Sequence, residues 1–556
     1  MPNSSNKINI NGTWHSISDI KINIDDAWKA VDSAYINTDG VWSSFWSSGT
    51  DYGDKFVFTI QTVGSNDTFT FPLVLGGTYN FTVNWGDNSA LSTITAYNDA
   101  DITHTYATEG VYQIECEGTI NRFRFANAGD RLLVRDVKNW GSLQLGATSG
   151  SQFQGCSNMT VSAIDSLDVS GTSNFNGMFN NCPAITTIKL SAGTPVGSMA
   201  NFFYGGTALT SLDLSVLNMS SVTSLSNAFY QCVNLTSIGN ISGWNTGNIN
   251  AFDYVFYNCR KLNTLDVSNW DTSKITTFYR AFTDCRELPS LDCTDWNVGE
   301  VTTFSEAFSN CYLLTTIGST TNWNTSKCTT FNWMFHNNYV LHGIDVSGWD
   351  AHLVTSINAM FANNWAQETI DVSNWVTTAL VTADEAFYHC HIITELDVSN
   401  WSTPSLTVMS NMFISDYSLT SLDLSGFDVA DVTTFYALCD GCTNLTTVGN
   451  ISGWNTGSAT TFALMFRNCP NLTGVVAHNW DIVDVTAMNQ TFYGSNNAIS
   501  NSEYDAILTG WSSQTTPRSN VAAHFGDARY INGAPSTARS VLTGTYNWTI
   551  TDGGVI

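Results

Sequence analysis

The stretch LDVSNWDTSKITTFYRAFTDC at 265–285 returns as LDCTDWNVGEVTTFSEAFSNC at 291–311. Aligned on its Phe-x-x-Cys end, the cysteine slot falls at Cys156, Cys182, Gly206, Cys232, Cys259, Cys285 and Cys311. It continues at Asn338, Asn364, Cys390, Asp416, Cys442, Cys469 and Ser495. A tryptophan slot repeats independently at Trp244, Trp270, Trp296, Trp323, Trp349, Trp375, Trp401, Phe427, Trp454 and Trp480. Self-similarity at spacings of 24 to 27 residues predicts a solenoid, because each unit can bury its apolar face only against its neighbours. The slots give about fourteen coils between residues 133 and 500.

Within the coil at 262–285, Leu262, Leu265 and Val267 follow the L-x-x-L-x-V rule of a leucine-rich-repeat strand. Thr264, Asp266 and Ser268 alternate onto the other face. Asp271-Thr272-Ser273 supplies helix-capping side chains, and Ile275, Phe278, Phe282 and Cys285 follow at helical spacing. Each coil is therefore expected to be a strand plus a short helix or helical turn. Stacking such coils about 4.8 Å apart gives a parallel sheet, hence an α/β solenoid.

The coil LDVSNWDTSKITTFYRAFTDC resembles the 26-residue class of BspA-like leucine-rich repeats, found in bacterial and phage surface proteins. The ending, YDAILTGWSS (504–513) through GTYNWTITDGG (544–554), resembles the cap that often closes such arrays. The resemblance covers residues 133–556 and implies a curved solenoid used for adhesion or recognition, with the cap at 501–556.

Two smaller regions precede the array. KININGTW (7–14), KINIDDAW (21–28) and AYINTDGVW (34–42) space Trp14, Trp28 and Trp42 evenly, with Asn11-Gly12, Asp25-Asp26 and Asp39-Gly40 between alternating apolar stretches. That pattern predicts three hairpins within residues 1–50, a sheet too small to be stable unaided. Such Trp-marked repeats resemble the start of some phage tail and other virion proteins, which implies an attachment module. Residues 51–132 read as short alternating strands. Trp85-Gly86-Asp87, His104-Thr-Tyr106 and Glu109-Gly110-Val111-Tyr112 resemble an all-β PKD-like sandwich, in which these residues, His104 included, are structural.

Charge narrows the partners. With 20 Lys and Arg against 47 Asp and Glu, the net charge of −27 repels nucleic acid and anionic membranes. No stretch reaches the roughly 18 apolar residues of a membrane span. The opening MPNSSNKINI carries no secretory signal pattern.

The repeated polar groups are the candidate chemistry. The cysteine slot accepts Gly, Asn, Asp and Ser, which a metal or redox function would not tolerate, so buried packing is expected there. Cys439-Asp-Gly-Cys442 is read the same way, since Cys439 takes the place that Phe413 and Phe466 fill in adjacent coils. The tryptophans (Trp244, Trp270, Trp296, Trp323, Trp349, Trp375, Trp401, Trp454, Trp480) are expected to pack coil on coil, the other reading being sugar stacking. An aspartate slot on the outward strand face holds Asp136, Asp168, Asp213, Asp266, Asp292, Asp345, Asp371, Asp397 and Asp423, and is broken at Gly239, Gly318 and Gly449. Asp266, Asp292, Asp345, Asp371, Asp397 and Asp423 are the candidate binding residues. Hydrogen bonds from Ser and Thr, raised pKa values or bound Ca²⁺ would relieve their mutual repulsion. His336, His342, His352, His389 and His391 occupy non-equivalent slots and form no H-x-x-x-H pair. No catalytic residue, resident metal or cofactor is assigned.

The expected function is that of a non-enzymatic phage virion protein of tail-fibre, head-fibre or decoration type. Its N-terminal module would attach to other virion proteins, its array would recognise a host-surface glycan or protein, and it would form a homo-oligomer. A bacterial cell-surface adhesin and a polysaccharide-degrading enzyme are the alternatives.

Overall fold

A computed structural model describes residues 52–147 and 150–556, together with the backbone of six strands within residues 1–51. The chain divides into a unit at Met1–Lys55 and a unit at Phe56–Ile556.

The first unit holds three antiparallel pairs: Lys7–Ile10 with Thr13–Ser16, Lys21–Ile24 with Ala27–Ala30, and Ser33–Thr38 with Val41–Ser47. Their registers repeat, setting Asn9 opposite Trp14, Asn23 opposite Trp28 and Asn37 opposite Trp42. The expected turn residues 11–12, 25–26 and 39–40 lie outside the described residues.

The second unit begins as a sandwich. One sheet runs in the order Ser92–Ile94, Leu73–Asn84, Gly110–Phe123, Phe56–Thr62, Val134–Asn139, Thr160–Val161. The pair Asp67–Thr70 and Thr103–Tyr106 packs over it, Phe58 meeting Phe69 and Phe71 at ring distances of 5.6 and 6.0 Å. The WGD and HTY residues form one structural knot. His104 stacks on buried Trp85 at 4.7 Å and meets the Asp87 carboxylate at 2.8 Å, while the Tyr106 hydroxyl donates to the Trp85 carbonyl. Burial pushes the Asp87 pKa up, but bonds from Ser89 and His104 outweigh it and bring the pKa to about 2.

The sheet does not stop at the expected boundary between 132 and 133. Val134–Asn139 pairs antiparallel with Phe56–Thr62 on one side and parallel with Thr160–Val161 on the other. The hydrophobic core likewise runs unbroken from Phe56 to Trp548. The reason is physical: the first coil of a solenoid has an open edge of N–H and C=O groups, and the sandwich strand covers it.

The array departs from the expected strand-plus-helix coil. Among the described residues, no α-helix occurs between 56 and 500. The apolar stripe Ile275–Cys285 is a chain of tight turns, with Arg280 and Asp284 both left-handed at φ 53° and 61°. Ala281 and Cys285 donate their N–H groups to Phe278 and Phe282 within the coil, at 3.0 and 3.1 Å. Arg280, Phe282 and Asp284 donate instead to Ser305, Ala307 and Ser309 of the next coil, at 2.9–3.0 Å. A helix would keep its N–H bonds within itself beyond the first turn; here alternate N–H groups bond along the array.

The parallel ladder is also displaced from its expected place. Its longest run follows the residues just before the turns: Thr277, Thr303, Thr330, Ser356, Thr382, Val408, Thr434, Thr461 and Ala487 bridge in succession. The L-x-x-L-x-V segments bridge only locally, as in Ser290–Thr316 and Glu395–Ser421–Thr447. Next to the long ladder, exposed threonines donate twice to one carbonyl. Thr460 reaches the Thr433 oxygen through both N–H and Oγ1, each at 2.9 Å.

The far end is closed by helix α1 (Asn501–Ser512) and helix α2 (Ala534–Gly544). Ser500 caps α1 by accepting the Glu503 N–H, and Tyr504, Ile507, Leu508 and Trp511 make its buried face.

Candidate functional site

The cysteine slot is a structural ladder with one chemical requirement. Cys182, Cys232, Cys259, Cys285, Cys311, Cys390 and Cys442 each donate Sγ–H to a phenylalanine carbonyl of the preceding coil, at 2.9–3.3 Å. Cys469 does the same to the Cys439 carbonyl, Asn364 Nδ2 to Phe335 and Ser495 Oγ to Phe466. The slot therefore favours a small polar donor. All thirteen cysteines are buried free thiols, and burial raises the thiol pKa of Cys232 to about 12, which keeps it from forming a thiolate.

The nine tryptophans are buried, and most anchor one coil to the one before. Trp244, Trp296, Trp323, Trp349, Trp375, Trp401 and Trp454 donate Nε1–H to a carbonyl of the preceding coil, at 3.1–3.3 Å. Stacked neighbours such as Trp323 and Trp349, at 5.6 Å, hold each other's faces. No face is open to a sugar along this ladder.

On the Asp face, Asp266, Asp292, Asp371, Asp397 and Asp423 are exposed and Asp345 is half-buried. Each carboxylate holds its own turn, accepting the N–H two residues on at 2.9–3.2 Å: Ser268, Thr294, Ser347, Ser373, Ser399 and Ser425. The Ser399 hydroxyl and N–H hold the Asp397 carboxyl below its ordinary range. Among the described residues, no group of three or more His, Cys, Asp and Glu gathers closely enough to hold a metal.

The glycine breaks in that slot have a steric cause. Gly239, Gly318 and Gly449 are left-handed (φ 83°, 77° and 74°), and a Cβ at any of them would strike the carboxylate of Asp213, Asp292 or Asp423 in the coil before. Two of these pairs border shallow depressions. One, of ≈ 540 Å³, is lined by Lys189, Asp213 and Gly239; the other, of ≈ 430 Å³, by Glu395, Asp397, Asp423 and Gly449.

A second surface was not anticipated from the repeats. The position after the cysteine slot is Arg260, Arg286, Tyr312, Tyr339, Trp365, His391 and Tyr417 in consecutive coils. The structure stacks them into an edge strip. Tyr312 to Tyr339 is 5.2 Å, Tyr339 to Trp365 4.4 Å, Trp365 to His391 5.6 Å and His391 to Tyr417 5.0 Å between ring centroids. The Arg286 guanidinium lies over the Tyr312 ring at 5.1 Å. Trp365 and Tyr417 are 43% and 44% exposed, and the neighbouring Leu313, Val340 and Ile392 are exposed too. At the cationic end Arg260, Lys261 and Arg286 line a hollow of ≈ 340 Å³ with Val233, Asn234 and Glu287. The signal in the sequence was a ring or a cation in one slot of successive coils, without repeated identity.

Comparison with known proteins adds the following. The family model described as "Mycoplasma protein of unknown function, DUF285" matches residues 147–237, 197–319, 313–395 and 382–504. No curated protein matches. Among solved structures, an internalin from Listeria monocytogenes is 12% identical over 64% of this chain and 85% of that one, with a TM-score of 0.20. The functional domain of InlJ from Listeria monocytogenes is 11% identical over 64% and 71%, with a TM-score of 0.19. A plant peptide hormone receptor, RGFR1 in complex with RGF2, is 12% identical over 76% and 80%, with a TM-score of 0.20.

Proposed function

The chain belongs to the DUF285 family, its repeats being of the BspA-like leucine-rich type, and from that premise we propose that it is a non-enzymatic recognition protein carried on a virion. In this reading the N-terminal strand pairs attach it to other virion structural proteins, the protein assembles as a homo-oligomer, and the array adheres to a glycan or protein of the bacterial host surface. One observation carries the recognition part: the sulfur and indole groups repeated along the array are buried, while one edge presents a continuous strip of stacked rings and cations, exposed at Arg260, Trp365 and Tyr417 and half-buried between. Repetition along such a strip makes weak contacts multivalent. Mass spectrometry of purified virions should find the chain, and labelled protein should bind host cells. Its absence from every virion preparation would refute the virion setting.

A bacterial cell-surface adhesin is the second reading, since the family's description names a cellular source and no virion; surface labelling of intact cells tests it. A polysaccharide-degrading enzyme is the third reading, with the depression at Glu395, Asp397 and Asp423 as a place where carboxylates gather. Incubation with host polysaccharide tests it, since released oligosaccharide would overturn the non-enzymatic assignment.

A further inference from the structure

The Lys and Arg residues of the array are not spread evenly. Between Lys189 and Arg467 the chain has six, and five of them fall within Arg260–Arg286. Three of those five, Arg260, Lys261 and Arg286, meet at the hollow that opens onto the ring strip. On a chain of net charge −27, an anionic ligand is repelled by most of the surface and favoured at this place.

The cations are only partly engaged. Arg260 donates Nε–H to the neutral Asn258 side chain at 2.7 Å, and Lys261 has no ion-pair partner among the described residues. Arg286 places two nitrogens on one oxygen of Asp284, at 2.9 and 2.8 Å, and Glu287 stands in the same hollow. Two carboxylates therefore face three cations.

The rings beyond Arg286 specify the rest of the ligand. Tyr339, Trp365 and His391 each have a ring neighbour on both sides, and Tyr312 lies between Arg286 and Tyr339. Their faces are occupied, so what they offer a ligand is ring edges, with the phenol groups of the tyrosines and the Trp365 indole as hydrogen-bonding partners. Flat bases that need an open face to stack on find none between Tyr312 and His391. A hydroxyl-rich chain of sugar rings meets the same edge again at each coil.

We propose that this edge binds an anionic polysaccharide, its acidic groups paired by Arg260, Lys261 and Arg286 and its sugar rings lying along Tyr312, Tyr339, Trp365, His391 and Tyr417. The proposal rests on the recognition reading above and names its ligand class. The acidic group is a carboxylate, as in a polyuronate, or a phosphodiester, as in a sugar-phosphate polymer.

The test uses the full chain and fluorescently labelled polygalacturonate decamer, a phosphodiester-linked ribitol oligomer bearing sugar substituents, neutral xylan decamer and poly-glutamate. One or both acidic glycans should bind, and binding should weaken as salt rises. Xylan and poly-glutamate should bind at least about tenfold more weakly. Arg260→Gln with Lys261→Gln, and separately Trp365→Ala with Tyr417→Ala, should each reduce affinity about tenfold or more. These side chains are exposed, and unchanged thermal unfolding confirms that the variants fold. Binding by neither acidic glycan, equal binding of xylan or poly-glutamate, or affinity unchanged in either variant would overturn the proposal. Cell adhesion separates the two readings. Wild-type and variant chains adhering equally would refute this edge and leave the recognition reading standing. No adhesion by the wild type would refute the recognition reading, while the glycan titration judges the edge independently.

Discussion

The carbonyl of Phe256 faces the thiol of Cys285 at 3.3 Å, and contacts of that kind account for most Cys occupants of the slot and for Asn364 and Ser495. Variable occupancy of the slot pointed to packing, and its cysteines lie buried in a ladder. It did not reveal that Cys, Asn and Ser share the ability to donate to a carbonyl one coil away, because a donor's target is invisible without the stacking. Cys285→Ser should therefore keep the bond, as Ser495 does, and cost under about 1 kcal/mol. Cys285→Ala removes one of two bonds to this carbonyl, which keeps the Cys259 N–H at 3.1 Å, and should cost about 1 kcal/mol more than the serine, read by thermal unfolding. Asp416 gives the sharper test. It is fully buried, accepts the Cys390 N–H at 2.7 Å, and burial raises its pKa well above the ordinary value. The folded chain thus keeps a proton that the unfolded chain releases above about pH 4, so this group's contribution to stability falls as pH rises from there toward its folded pKa. Asp416→Asn, which copies Asn364, should stabilise by about 1–3 kcal/mol at pH 8. The gain should shrink toward zero near pH 4, and a gain independent of pH would contradict the protonated assignment.

At the scale of one coil, the apolar spacing of Phe278, Phe282 and Cys285 fits a helix and fits a chain of turns equally well, since both return a side chain to the core every four residues. The deciding information lay elsewhere in the sequence. In eleven of fourteen coils the residue before the cysteine slot is Asn181, Asn258, Asp284, Asn310, Asn337, Asn363 or Asn468, or Gly155, Gly205, Gly441 or Gly494, the types that tolerate a left-handed backbone. These eleven, and Gln231, His389 and Ser415 in the other three coils, all have positive φ. The strand periodicity was legible, but which side of the coil would carry the long ladder was not. That depends on backbone groups that every residue possesses. Asn337 tests the turn reading. It is left-handed at φ 59°, donates Nδ2 to Asn310 and accepts from Asn363, both at 2.8 Å. Asn337→Ala should cost about 2–4 kcal/mol, combining strain with two lost hydrogen bonds. Asn337→Gly should cost about 1 kcal/mol less, because only the hydrogen bonds are lost. Equal losses in denaturant unfolding would mean that the backbone conformation contributes nothing.

For the whole molecule, the repeat made the solenoid and its two end pieces readable, whereas their fusion into one core was not, since a repeat describes what is inside an array and says nothing of how its ends are covered. The C-terminal end shows what covering requires. The Glu503 carboxylate accepts the N–H groups of Ala477 and His478 at 2.8 and 3.0 Å, Trp511 donates to the Ala477 carbonyl at 3.1 Å, and Gln514 meets both Ile482 and Trp480. The cap thus supplies to the last coil the contacts that the next coil supplies elsewhere, and Phe525 replaces the next ring beyond Phe492 at 6.2 Å. A solenoid's stability is close to a sum of units and nearest-neighbour interfaces, which separates two deletions of similar chemistry. Excising residues 312–338 removes one internal coil and rejoins Cys311 to Tyr339, the same junction type as before. That chain should fold to a monodisperse species with its unfolding midpoint lowered by no more than a few degrees. Truncation after residue 500 exposes the faces now covered by Tyr504, Trp511 and Phe525, with roughly 150–250 Å² buried by each aromatic. It should bind a hydrophobic dye and self-associate in size-exclusion chromatography, through an apolar end with unpaired backbone groups. If the truncated chain eluted as a monomer with an unchanged midpoint while the excised chain aggregated, stability would reside in a coil-specific nucleus, and the nearest-neighbour account of this array would be wrong.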